Sequence, residues 1–357
     1  MFLNNKKNLF FFFLLSICCY SQNTLDKLGL APSDPKANYA FSLRKLSSSY
    51  TGSAIKVRNS LGNTQNIGFV GDNLDETSLL TFVNLGNGDG FVDTWYDQSG
   101  KGNHAIAPAT VNQPQIVSSG VIYKQNNKPA LHSIYIAGSS NSSRLQFLPT
   151  TAVTNNQFIL LGQSVSSAGN YSIFLQQAGP SSYLRLNPSN NFEAWTNGAN
   201  VITSSSTQDT SILKIYSANF TTGYLYVNGV SIGNSSVATP SSTSSTIALF
   251  NGPSGTLPLN GSISEVLSFS STVNRGVIEA NQGTYYSIQV PPTNLIYSGS
   301  SYTYTRGTAI ATIAAPTNLG TSPTSYSVSP ALPAGLNLDT ATGAITGTPT
   351  AIQIATT

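Results

Sequence analysis

The spacing of apolar and polar positions changes character along the chain. Residues 9–17 are apolar apart from Ser16, and Lys6 and Lys7 precede them. Cys19-Tyr20-Ser21 follows, with Gln22 as the N-terminus that cleavage would create. A positive start, an apolar stretch and small residues are the parts of a secretory leader. The run is about half the ~20 residues a membrane-spanning helix needs, so residues 1–21 are expected to be removed, not to stay as an anchor. The other processing route, a lipid on Cys18 or Cys19, lacks the small preceding residues it prefers.

Two later stretches fit short helices. Tyr39 to Leu46 has apolar residues at roughly helical spacing. Asp75-Glu76 opens residues 75–83 with the acidic charge that favours a helix N-terminus, and an apolar face follows. Elsewhere the signals are for strands: 157–161, 171–175, 183–186 and 212–216 are β-branched or aromatic runs separated by Ser, Gly and Asn. Tyr224–Val227, Asn228-Gly229 and Val230–Ile232 read as a hairpin, because Asn-Gly tolerates the positive φ angles of a two-residue turn. Many short strands predict an antiparallel sandwich. Pro291-Pro292 is expected to end a preceding strand and stiffen a linker. The composition beyond it shifts to Thr, Ser, Ala, Pro and Gly. The expected units are therefore a leader (1–21), a sandwich (22–290) and a smaller unit (291–357).

Charge and cysteine content narrow the function. Sixteen Lys and Arg stand against thirteen Asp and Glu, and the leader removes two lysines. A nearly neutral chain has no basic stripe for phosphates, which argues against nucleic-acid binding. Cys18 and Cys19 are the only cysteines and both lie in the leader. The mature chain then has neither a disulfide nor a thiol nucleophile, and relies on its core. A surface of Ser, Thr, Asn and Gly offers uncharged hydrogen bonds, suited to glycans or adhesion and equally to an inert scaffold.

The most specific motif is Tyr96-Asp97-Gln98-Ser99-Gly100-Lys101-Gly102-Asn103, within Phe91–Ala105. Ala40–Gly52, Ile55–Arg58, Asn112–Ile116 and Asn127–Ala130 flank it. This order resembles the N-terminal part of the α-L-arabinofuranosidase B catalytic domain and the LamG-like sandwiches that share its opening. The resemblance covers about residues 30–290 and is strongest up to Ala130. It implies a concanavalin A-like antiparallel jelly roll with a few short N-terminal helices. The loop has two readings: a rigid turn seating Trp95 and Tyr96, with Asp97, Ser99 and Asn103 bonding backbone amides, or a ligand or Ca²⁺ loop using Asp93 and Asp97. Two carboxylates are few for a calcium cage.

A retaining glycosidase needs a nucleophile and an acid flanking the bond. The resemblance implies a nucleophilic Glu at a strand end and an acidic Asp before the closing strand. The corresponding stretches here are Ile173–Gly179, without a carboxylate, and Ala248–Pro253, with Asn251 where an acid is wanted. Glu193 and Glu265 are the glutamates that would have to serve if the chain were an enzyme. The family's cystine-rich features are absent as well. His104 and His132, the only histidines, fit no triad by spacing.

Trp195, Tyr183, Tyr224 and Tyr226 fall on predicted strands, where each ring either fills the core or stacks on a sugar. Trp195 is the best candidate for stacking, because Asn and Gly neighbours place it near a loop. The candidate ligand-binding residues are thus Trp195, Tyr183, Asp97 and Asn103; no cofactor is expected.

A second motif, Leu332-Pro333-Ala334-Gly335-Leu336 with Thr342-Gly343-Ala344-Ile345-Thr346-Gly347-Thr348-Pro349, resembles the Ig-like (cadherin-like) repeat of bacterial surface proteins. It implies a partial Ig-like sandwich in which Leu332, Leu336, Leu338 and Ile345 fill the core, Gly343 and Gly347 make turns and Asp339 caps one. The repeat reads as unfinished, so the chain is expected to be part of a longer surface protein. The leading expectation is an extracellular or cell-surface module without a catalytic pair, not transmembrane once mature, binding a glycan, a polysaccharide or a surface protein. A working α-L-arabinofuranosidase and a purely structural adhesin segment are the alternatives.

Overall fold

The computed structural model describes residues 23–352 except 32, 137–138, 166–170, 179–181, 197–198, 235–241, 243, 256 and 300. The expected leader lies outside them. The chain passes through helix α1 (Thr24–Lys27), strands β1 (Ala37–Ser42), β2 (Ile55–Asn59) and β3 (Thr64–Ile67), and helix α2 (Glu76–Val83). It continues through β4 (Gly90–Trp95), β5 (Ala105–Ile106), β6 (Gln115–Ser118), β7 (Leu131–His132) and β8 (Leu145–Phe147). Then come β9 (Gln157–Ser164), β10 (Ser172–Gln177), β11 (Ser182–Leu186), β12 (Asn191–Thr196), β13 (Ala199–Thr207) and β14 (Lys214–Asn219). The hairpin β15 (Tyr224–Val227) and β16 (Val230–Asn234), β17 (Ile247–Leu249), β18 (Gly261–Phe269) and helix α3 (Arg275–Tyr286) complete the larger part.

These strands form an antiparallel sandwich. One sheet runs β1-β18-β9-β14-β15-β16. The other runs β3-β2-β4-β5-β8-β17-β10-β11-β12-β13. The strands β6 and β7 link them, pairing β4 with β18 through each other. Between the sheets lies one continuous core. Phe158, Leu160, Tyr216 and Val266 enter from the first sheet; Val57, Val92, Leu175, Leu184 and Phe192 enter from the second. A second apolar layer covers the outer face of the first sheet. There Leu25 of α1 and Ile278 and Tyr286 of α3 pack on Ala40, Ile159, Ile215 and Leu267.

Most expected elements are present. Asp75 caps α2, its side chain accepting from Ser78 N at 2.9 Å. The β15–β16 turn holds Asn228 at φ 49° and Gly229 at φ 83°, as Asn-Gly allows. Two expectations are corrected. The helix expected over Tyr39–Leu46 is instead strand β1, with all six residues buried. Tyr39 and Phe41 fill the main core while Ala37 and Ala40 face the helical layer; a strand covered on both sides shows no polar alternation. The element before Pro291-Pro292 is the helix α3, not a strand, and it ends at Ser287 in the left-handed region (φ 55°).

Beyond Val290, among the described residues, lie two two-stranded antiparallel ladders. Strand β19 (Thr293–Ile296) pairs with β20 (Thr317–Leu319), and β21 (Leu336–Leu338) with β22 (Ile345–Gly347). Asp339 caps its turn, its carboxylate accepting from Ala341 N and Thr342 N, and Gly343 closes it at φ 78°. Gly347 is not in a turn. It lies in β22, where a Cβ would strike the Gly335 carbonyl. Leu332, Leu336, Leu338 and Ile345, expected as core, are only half-buried, because two narrow ladders present little second layer to cover them.

Candidate functional site

The second sheet turns alternate side chains of β10, β11 and β12 away from the core. Leu184, Leu186, Phe192 and Ala194 point inward and are fully buried. By the two-residue period of a strand, Tyr183, Arg185, Glu193 and Trp195 then point outward. Register sets Tyr183 opposite Trp195 and Arg185 opposite Glu193. The four side chains form one cluster. The Tyr183 and Trp195 rings stack at 5.1 Å between centroids and 23° between planes. The Arg185 guanidinium lies 4.6 Å and 4.9 Å from their centroids and 3.7 Å from that of Tyr171.

Glu193 holds the cluster rigid. Its Oε2 accepts from Arg185 Nε at 2.7 Å and from the indole Nε1 of Trp195 at 3.1 Å. Its Oε1 accepts from Asn187 Nδ2 at 2.8 Å. The Asn187 side-chain Oδ1 in turn accepts from Ser189 N and Asn191 N, fixing the β11–β12 turn. Arg185 and Glu193 are buried, whereas Tyr171, Tyr183 and Trp195 remain half-exposed. Burial raises the pKa of the Tyr183 hydroxyl, with Arg185 acting in the opposite direction. The result is an aromatic surface, with its one ion pair closed beneath it. Such a surface suits stacking on an uncharged ring, as aromatic faces combine apolar area with a polar edge.

The other sequence candidates lie elsewhere. Glu265 is fully buried on the outer face of the first sheet, under α3. It accepts from Arg44 Nε at 2.8 Å, Ser42 Oγ at 3.0 Å and Gln282 Nε2 at 2.9 Å. Glu193 and Glu265 thus occupy outer faces of opposite sheets, with the whole core between them, and sheets alone stack about 10 Å apart. They do not flank a common bond, as the paired carboxyls of a glycosidase do at about 5–10 Å. Register does bring together the two stretches in which the resemblance implies catalytic acids, since β10 pairs with β17. Both supply amides there. Gly252 packs against the Gln176 amide, and Asn251, fully buried, accepts from Gly252 N and Leu257 N.

Asp97 and Asn103 are also buried, and their polar atoms hold the glycine-rich loop. Asp97 accepts from Ala40 N (2.9 Å), Ser99 N (2.9 Å), Ser99 Oγ (2.8 Å) and Asn103 N (3.0 Å). Asn103 donates to the Asn38 carbonyl and accepts from Thr150 N. Gly100 and Gly102 take positive φ. His104 accepts from Asp97 N through Nδ1 and meets the Tyr96 ring edge-on, so it is not paired with the carboxylate as a triad would require. Tyr224 and Tyr226 lie side by side on β15, with the Arg275 guanidinium 3.6 Å from the Tyr226 ring centroid. Among the described residues no three His, Cys, Asp or Glu side chains converge as a metal site would need, and no helix is long and apolar enough to cross a membrane. Both rings of this mutually stacked pair are among the sequence candidates. Sequence reasoning missed Arg185 and Tyr171, although the i, i+2 spacing of Tyr183 and Arg185 on one strand was a usable signal.

Comparison with known proteins agrees with this geometry at the level of fold. Residues 269–357 match the family described as "Putative Ig domain". No curated protein matches the chain. Among solved structures, an arabinofuranosidase complexed with arabinofuranosyl-α-1,2-xylobiose is similar at 16% identity and a TM-score of 0.50, over 82% of this chain and 70% of that one. A mutant GH54 α-L-arabinofuranosidase soaked with 4-nitrophenyl α-L-arabinofuranoside is similar with the same identity, TM-score and coverage.

Proposed function

We propose that the protein is a carbohydrate-binding module of the LamG-like, concanavalin A-like type, displayed outside the cell, that holds a glycan on the outer face of its second sheet. The observation that carries this reading is the stacked, half-exposed pair Tyr183 and Trp195, locked from below by Arg185 and Glu193. A ring system held in one geometry loses little entropy on binding, which favours affinity. The opposite placement of Glu193 and Glu265 supports binding without hydrolysis by that pair.

Affinity electrophoresis through gels containing arabinoxylan tests the reading. The wild-type chain is expected to be retarded. Trp195→Ala is expected to migrate as in a plain gel while keeping the far-ultraviolet circular dichroism of the folded chain. The wild type is expected to release no 4-nitrophenol from 4-nitrophenyl α-L-arabinofuranoside. Retardation that survives Trp195→Ala would move the site elsewhere; a chain retarded by no neutral polysaccharide would favour a structural adhesin segment; release of 4-nitrophenol would restore the enzyme reading.

A further inference from the structure

The aromatic pair stands at one end of a longer row. Register sets Ile106 opposite Gln146, Gln146 opposite Ala248, Ala248 opposite Gln176, Gln176 opposite Tyr183 and Tyr183 opposite Trp195. These six residues occupy six neighbouring strands, β5, β8, β17, β10, β11 and β12. Their chain neighbours Ala105, Leu145, Ile247, Leu175, Leu184 and Ala194 are buried in the sandwich, so the row faces outward. All of it except Ala248 is at least partly exposed, and none of it is charged.

The row has a wall and an end. Along one side residues 251–255 bring Gly252 against Gln176, and Arg144 Nη1 donates to the Pro253 carbonyl at 2.9 Å. At the end opposite Trp195, an open cavity is lined by Ile106 and Gln146 together with His104, Leu148 and Thr246. Five strand spacings separate Ile106 from Trp195, roughly 24 Å at about 4.8 Å each. That is far longer than a single sugar ring. Gln146 and Gln176 each bring a carbonyl acceptor and an amide donor, which is the pairing a hydroxyl needs.

We propose that the ligand is a linear, uncharged oligosaccharide lying across the strands, stacked on Trp195 and Tyr183 at one end and hydrogen-bonded through Gln176 and Gln146 toward the cavity at Ile106. This rests on the carbohydrate-binding reading and adds its length and direction. A single terminal sugar would use only the aromatic end.

Isothermal titration of the full chain with arabinoxylan-derived oligosaccharides, from one unit to about six, tests it. Affinity is expected to rise by at least about tenfold between two and five units, a gain of about 1.4 kcal/mol. Gln146→Ala and Ile106→Ser are each expected to weaken the longest oligosaccharide several-fold while leaving the two-unit affinity and the melting temperature unchanged. Ile106 is half-exposed, so its variant tests the far end without disturbing the core. Affinity that is flat beyond one or two units, with Trp195→Ala still abolishing retention on arabinoxylan, overturns the extended track and leaves the aromatic platform standing. No binding by any oligosaccharide or by the polymer overturns both.

Discussion

Asp97 is a carboxylate placed in the interior to organise a loop, and its surroundings decide what substitution does. Four donors from three residues converge on its two oxygens. Burial pushes the Asp97 carboxyl up, while these hydrogen bonds act in the opposite direction. Asn in its place keeps the shape but turns an NH₂ toward backbone donors. A buried donor left without a partner costs about 1–3 kcal/mol, so Asp97→Asn is expected to lower unfolding stability by about 2–4 kcal/mol. Chemical denaturation measures this. Glycan retention by the folded fraction should be unchanged. Lost retention at full stability would instead make Asp97 a ligand contact, the reading that its motif also allowed.

At the scale of elements, a buried ion pair ties the strand pair β1–β18 to α3. Arg44, just past β1, meets Glu265 of β18, and its guanidinium also donates to Asn281 of α3 and to Thr24. Tyr285 and Tyr286 of α3 lie 4.7 Å and 5.6 Å from the guanidinium. Burial works against the Arg44 charge, yet Glu265 together with Tyr286 and Tyr285 outweighs it, so the guanidinium pKa is held above its ordinary value. Removing one member of a buried pair strands the other. Arg44→Ala is therefore expected to destabilise by about 3–5 kcal/mol, read by urea unfolding, and a loss below about 1 kcal/mol, as for an exposed pair, would contradict this role. The same elements explain what the sequence showed and hid. Strands such as β11 and β15 were legible as aromatic-rich runs, bounded by Ser, Gly and Asn or by the Asn228-Gly229 turn. β1 was not, because both its faces are covered, and its closely spaced apolar residues imitated a helix. α3 was hidden for the converse reason. Its buried face carries Glu279, Asn281 and Gln282 among the apolar residues, so no clean stripe marks it. Tyr183 and Trp195 were legible as candidate rings. Their pairing was not, since it depends on a register set by the β11–β12 turn.

For the molecule as a whole, apolar burial is concentrated in the sandwich and its helical layer. One core joins both sheets; within it Tyr39, Phe41 and Phe147 touch one another and Phe41 also meets Trp95. Residues 275–290 belong physically to this body, as Ile278, Tyr286, Ile288 and Val290 pack into its second layer. Beyond them, among the described residues, the buried apolar side chains are few: Ile313 with Pro316 and Pro349. Regions with few buried apolar contacts open locally at low free energy, whereas central strands exchange only on global unfolding. Hydrogen exchange on the full chain is thus expected to divide it. Amides of β9 and β18 should be protected to the global limit, and those of β21 and β22 should exchange orders of magnitude faster. Addition of arabinoxylan should slow exchange around β11 and β12 and leave β21 and β22 as they were. Equal protection of β18 and β22 would mean that the segment beyond Val290 shares the cooperativity of the sandwich. Its half-buried leucines would then have to be as strongly committed to the fold as the core of the two sheets, which their exposure argues against.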